Sequence, residues 1–187
     1  MDQISVFQRA VDQTGIIVAN VKPDQFSAST PCVEWDVHTL LNHTISGVQM
    51  FDGAARGRDF DGSIFALDNL GDDPGAAYSA RAANLRRALA EPGVIDAIWN
   101  MPFGSVPGTI AVGVATMEIA QHGWDVARST GQQAHFDPEV TEVAFATARM
   151  MAPEQVRVPG IFGPEAQCPA GAPQPDQLAA FLGRGLQ

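Results

Sequence analysis

The spacing of apolar positions predicts a succession of amphipathic helices. Ile4, Phe7, Val11, Ile16, Ile17 and Val18 recur at helical intervals and give a first helix over 4–20, with a soft spot at Gly15. After a loop at 22–31, Asp36 is placed to cap a second helix over 36–56. Its apolar set is Val37, Leu40, Leu41, Ile45, Val48 and Phe51. A neighbouring row of Leu40, His43, Gly47 and Met50 lets His43 face the core, with room left beside Gly47. Residues 57–74 are polar, glycine-rich and acidic, and read as a long surface loop. A helix over 75–91 is stopped by Pro92-Gly93, and 94–107 is a structured connection with a short extended piece. Helices over 109–130, closed by Gly131, and over 138–151, with Pro138 in the first turn, follow. Residues 153–175 are proline-rich, an extended wrap that leads to a short terminal helix at 177–182. Few stretches alternate with period two. The expectation is one all-α domain over 1–187: a four-helix bundle with short additional helices and a proline-rich C-terminal extension.

The stretch Thr109–Gly131 departs from the amphipathic rule. Between Pro107 and Trp124 only Glu118 and His122 ionise readily; the rest is apolar, small or uncharged polar. A helix apolar nearly all round is a buried helix. Glu118 and His122 are four apart and project from one face of it. A carboxylate in such a helix must be paired, protonated or metal-bound. Two readings stay open on the residues alone. One is a buried hydrogen-bonded pair that fixes helix packing; the other is a pair of metal ligands awaiting a third. His43, on a second helix with a core-compatible face, is the candidate third ligand. Two histidines and a carboxylate suit zinc, and also nickel or iron(II), and leave a coordination position open as catalytic sites do. Asp125, three residues after His122, is placed to hydrogen-bond its ring, as carboxylates behind metal-bound histidines do.

Composition narrows the partners. The formal net charge is −10 and the pI about 4.6, which argues against nucleic acid or an anionic membrane surface. The first residues carry charges and no long apolar run, unlike a signal peptide, and no apolar run approaches membrane-spanning length. Two cysteines make no disulfide framework, so the reading is a cytoplasmic protein with reduced thiols. Cys32 precedes the second helix, and His43 lies on the order of 10 Å along the axis from Asp36. Cys32 is therefore expected to be a small buried residue and not a ligand. Cys168 sits in the proline-rich tail. His38 points away from His43, and His135 falls in a loop. Trp124 is expected in the core, and no arginine stands out as part of a site. The pattern leaves open whether the chain is a monomer or a homodimer.

Three segments, TPCVEWDVHTLLNHTISG (30–47), MEIAQHGWDVARSTGQ (117–132) and FGPEAQCPAGAPQPDQLAAFLGR (162–184), carry a resemblance. Together they resemble the metal-binding DinB-like family related to the N-terminal domain of mycothiol-dependent maleylpyruvate isomerase. The resemblance implies a four-helix bundle binding one divalent metal through a histidine of the second helix and an acid-plus-histidine pair of a later one. The matching positions are His43, Glu118 and His122. It also implies mycothiol as the small thiol, with an electrophilic co-substrate, in a transferase or isomerase-like reaction. The chain is too short for the further C-terminal domain of the isomerase, which weakens the expectation of that particular reaction. A non-catalytic metal-binding or stress-related protein and a metal-dependent hydrolase are the alternatives.

Overall fold

Aspartate side chains set the starts of the first three long helices. Asp2 accepts from the Ile4 backbone N–H, Asp36 from Thr39 at 2.8 Å and Asp73 from Ala76 at 3.0 Å. Each satisfies an amide that a helix start would otherwise leave unpaired. They open α1 (Gln3–Ala19), α2 (Val37–Ala55) and α3 (Pro74–Leu89). An antiparallel hairpin follows, β1 (Ile98–Met101) and β2 (Gly104–Pro107), then α4 (Gly108–Ser129), α5 (Pro138–Met151) and α6 (Gln174–Phe181). The computed structural model describes residues 2–152, 157 and 162–186. The five long helices end within two residues of the spans expected from periodicity, and the terminal helix starts three residues earlier than expected. Part of the expected wrap over 153–175, namely 153–156 and 158–161, lies outside the described residues; 162–169 carries no helix or strand.

α1, α2, α3 and α4 form the bundle. α1 packs on α4 and α3, and α2 on α3 and α4. α5 closes the outer side of α4, and α6 lies against α5 and α4. This arrangement surrounds α4: from 111 to 127 every residue is buried except Glu118. Small residues permit that closure. A Cβ at Gly123 would meet Thr14 Oγ1 at 2.5 Å and the Phe136 ring at 2.9 Å, so glycine lets α1 reach the α4 backbone. There the Thr14 hydroxyl donates to the Ile119 carbonyl at 3.0 Å. The apolar row of α2, Val37, Leu40, Leu41, Ile45, Val48 and Phe51, is buried as expected, whereas Ile16 of α1 is exposed.

Two irregular segments fold onto the bundle. The loop at 57–74 does more than cover the surface: Leu70 is buried, and the Asn69 backbone donates to the Asn42 side chain of α2 at 2.7 Å. The loop before α2 doubles back through a bridge between Ser29 and Asp36, with the Trp35 backbone donating to the Cys32 carbonyl at 2.7 Å. Among the described residues no helix is long and apolar enough to cross a membrane.

Candidate metal centre

α2 and α4 bring His43, Glu118 and His122 together. Glu118 Oε1 lies 3.2 Å from His122 Nε2 and 3.6 Å from His43 Nε2, and the three donor atoms all fall within 4.8 Å of one another. Tetrahedral ligands about 2.1 Å from a zinc ion are about 3.4 Å apart. The spacing therefore fits a shared divalent ion as well as it fits a hydrogen-bonded cluster, and the two-nitrogen, one-oxygen donor set suits zinc, nickel or iron(II). Burial grades outward: the His122 side chain is 8% exposed, His43 26% and Glu118 36%. The three open onto a cavity of about 600 Å³, within the usual range for small-molecule sites. Aromatic rings fix His43. Trp35 lies with its ring centroid 4.6 Å away and Phe65 5.1 Å away.

The other nitrogen of His122 faces inward. Nδ1 is 3.1 Å from Asp125 Oδ2, and Asp125 is fully buried. That contact puts the Nδ1 proton on the carboxylate side and directs Nε2 to the cavity. The same carboxylate receives three further donors: Gln121 Nε2 at 3.1 Å, the Arg184 guanidinium at 3.4 Å and the Cys32 thiol at 3.4 Å. Burial pushes the Asp125 carboxyl up, but the hydrogen bond from His122 and the charge of Arg184 outweigh it and hold it below its ordinary value. Burial likewise pushes the Glu118 carboxyl up, and His122 and His43 reverse the direction to well below the carboxylate range. For the His122 imidazole, burial favours the neutral form. Glu118, Asp125 and Cys32 overcome it and raise its pKa well above the ordinary value. The two carboxylates that flank His122 therefore favour its imidazolium form.

Two expectations are corrected here. Cys32 is not a remote small residue; it lines the cavity, and its sulfur, one ring nitrogen of His122 and one Asp125 oxygen lie within 4.8 Å of one another. Rise along the α2 axis does not apply to it, because the 29–36 loop folds back instead of extending the helix. An arginine does belong to the site. Arg184 follows α6, where Gly183, at φ +91°, turns the chain and Arg184 N donates to the Ala179 carbonyl at 2.9 Å. Its guanidinium reaches Asp125, and that charge raises its own pKa against the opposing effect of burial. The remaining residues fall as expected. His38 is half-exposed and 3.9 Å from Asp68, His135 is exposed in a loop, and Cys168 is exposed in the tail. Trp124 is buried and donates through Nε1 to Asp176 at 2.7 Å, which ties α6 to α4.

Comparison with known proteins agrees with the fold and with the resemblance. Two uncharacterized proteins of Mycobacterium tuberculosis, from two strains, are each 38% identical to this chain over 188 aligned residues, covering 100% of both partners. Two crystal structures of a mycothiol-dependent maleylpyruvate isomerase, one of them a histidine-to-alanine mutant, superpose with a TM-score of 0.59 at 14% identity. The superposition covers 79% of this chain and 66% of the isomerase, so the chain spans about two thirds of that enzyme's length and the likeness is one of fold. The family model described as the mycothiol maleylpyruvate isomerase N-terminal domain matches residues 7–127, which run from within α1 through most of α4 and hence include His43, Glu118 and His122. With well over half of its length matched, the chain belongs to the mycothiol maleylpyruvate isomerase N-terminal domain family.

Proposed function

We propose that this chain is a metal-dependent enzyme that uses a small thiol, mycothiol, in an S-transfer or isomerase-like reaction. The observation that carries the reading is one nitrogen donor from each of His43 and His122 and one oxygen from Glu118, at ion-sharing spacing beside a cavity of about 600 Å³. His43, Glu118 and His122 would hold the ion, zinc first. Bound there, a divalent metal favours the thiolate form of a small thiol near neutral pH. The mycothiol in the names of the family and of the solved relative supports mycothiol as the thiol.

The protein's own residues prepare the site in three ways. Asp125 holds the Nδ1 side of His122 and keeps Nε2 turned to the cavity. Trp35 and Phe65 confine the His43 ring and present apolar surface that excludes water beside the ligands. Arg184 neutralises Asp125, so the buried carboxylate orients His122 without leaving an unpaired charge. The rest of the cavity accommodates the electrophilic co-substrate.

Cobalt-substituted protein tests the proposal. One equivalent of cobalt is expected to bind, and saturating mycothiol is expected to add a sulfur-to-metal charge-transfer band in the near ultraviolet. His43→Ala and Glu118→Ala should lose both the metal and the band. A metal-loaded protein whose spectrum does not respond to mycothiol would overturn the thiol reading and favour a hydrolase, in which water is the nucleophile.

A further inference from the structure

His122 takes its orientation from a hydrogen bond to Asp125. The His43 ring is held by packing instead. Trp35 and Phe65 lie with ring centroids 4.6 Å and 5.1 Å away, tilted 38° and 31° to it. Phe65 comes from a 3₁₀ turn, Gly62–Ala66, in the polar loop between α2 and α3. A surface loop is ordinarily the mobile part of a fold, so a ring that confines a ligand from a loop needs a support. Asn69 supplies it. Its Nδ2 donates to the Ile64 carbonyl at 2.8 Å and to the Leu67 carbonyl at 3.2 Å, which holds the backbone on both sides of Phe65. The same Nδ2 donates to Ser46 Oγ at 2.9 Å, and the Asn69 backbone N–H donates to Asn42 Oδ1 at 2.7 Å. Asn42 and Ser46 bracket His43 on α2. Asn42 Nδ2 returns a hydrogen bond to the Leu67 carbonyl at 2.9 Å, and Arg81 of α3 donates to Asn69 Oδ1 at 3.0 Å. Both ends of the Asn69 amide are therefore engaged, and a satisfied polar network of this kind fixes one geometry. Asn69 itself does not line the cavity.

We propose that Asn69 is a positioning residue for the metal centre: by clamping the 64–67 backbone onto α2 it holds Phe65 against the His43 ring and so keeps Nε2 aimed at the point shared with Glu118 and His122. The inference rests on the proposed function for the role of His43 as a metal ligand. Without the Asn69 amide the turn comes away from α2, Phe65 withdraws, and the imidazole gains freedom about its Cβ–Cγ bond. Metal binding then has to order the ring, which weakens it. Groups behind the ligands of a metal commonly set its affinity in this way, by about 10–100-fold. The two histidines are thus oriented by different means: His122 by a carboxylate within α4, and His43 by an aromatic ring whose place is fixed by an amide four residues further along the chain.

Cobalt affinity, measured by competition with a chelator, is compared in wild type, Asn69→Ala, Phe65→Ala, the double variant and Tyr78→Phe. Tyr78→Phe removes a buried hydrogen bond to the Val11 carbonyl between α3 and α1 and controls for a general loss of stability. Each single change at 65 or 69 is expected to weaken cobalt binding about tenfold. The double variant is expected to lose about tenfold as well, because both changes release the same ring. Tyr78→Phe should bind as wild type does. A double variant weakened about a hundredfold, an equal loss in Tyr78→Phe, or a folded Asn69→Ala protein with wild-type affinity overturns the proposal. Asn42→Ala cuts two bonds of the same network at the α2 surface and takes the place of Asn69→Ala, with the same outcomes, if that variant fails to fold. In the metal-free proteins the NMR signals of the His43 ring protons should move in Asn69→Ala in the direction they move in Phe65→Ala; signals that stay at the wild-type position overturn the proposal too. The two readings fail separately. A wild type that binds no cobalt sinks the proposed function, and the His43 signals then decide this inference; a wild type that binds cobalt no better than Asn69→Ala does sinks this inference alone.

Discussion

Asp125→Ala should cost the metal-free protein more stability than any other single change at the site. Asp125 is fully exposed to none of the solvent yet carries the counter-charge for two cations, His122 at 3.1 Å and Arg184 at 3.4 Å, whose side chains are 8% and 14% exposed. Removing one partner of a buried charged cluster leaves the others desolvated and unpaired, at a cost of about 3–5 kcal/mol. Gln121 and Cys32 lose an acceptor as well. For a domain of this size each kcal/mol corresponds to about 2–4 °C, so the melting temperature should fall by about 6–20 °C. Urea unfolding of the metal-free protein gives the free-energy loss directly. The double variant Asp125→Leu, Arg184→Met removes both charges of that pair and replaces them with apolar groups. It should be less destabilised than Asp125→Ala alone, because no guanidinium is stranded. A loss below about 1 kcal/mol for Asp125→Ala, or a double variant whose loss equals the sum of the singles, would refute the shared-carboxylate argument.

His122→Ala should abolish stoichiometric zinc binding, measured by dialysis and metal analysis, whereas His38→Ala should not, since His38 lies outside the cluster and half-exposed. Zinc must displace the His122 proton, whose pKa is raised by the flanking carboxylates; below that pKa the apparent affinity should rise about tenfold per pH unit, with proton release detectable by calorimetry in buffers of different ionisation enthalpy. In the metal-free protein the raised His122 pKa contributes stability that is fully present below the ordinary imidazole value and is lost as pH rises through the folded-state value. The depressed Asp125 contributes stability that is present above the ordinary carboxylate range and lost as pH falls through its folded-state value; urea midpoints across pH should therefore decline on both sides. Gly123→Ala should destabilise by about 1–3 kcal/mol, read by urea unfolding, because its Cβ forces α1 away from α4 at Thr14.

The helices and the convergence of His43, Glu118 and His122 were legible because both depend on local periodicity. The near absence of ionisable residues in the first four turns of α4 signals burial on all sides, and the four-residue spacing of Glu118 and His122 places them on one face. His43 follows from a row on α2 that shares the core side. Cys32 and Arg184 escaped because no helical period governs them. Cys32 reaches the site through a loop that folds back at Ser29 and Asp36, and Arg184 through a turn at Gly183. The glycine after the terminal apolar run was the available signal, since glycine past a helix end reverses the chain and returns the next residue toward the core. The hairpin at 98–107 read only as a short extended piece because four-residue strands are too brief for alternation to declare itself. Phe65, in a stretch read as surface loop, reaches His43 through contacts distant in sequence.

X-ray absorption of the zinc-loaded protein, with and without mycothiol, tests the central claim most directly. Without thiol, the account predicts a first shell of nitrogen and oxygen at about 2.0–2.2 Å and no sulfur. With mycothiol, one sulfur scatterer should enter at about 2.3 Å while the His43, Glu118 and His122 shell persists. A sulfur shell already present without mycothiol would place Cys32 on the metal, and a shell that mycothiol leaves unchanged would remove the thiol from the mechanism; either result contradicts the account.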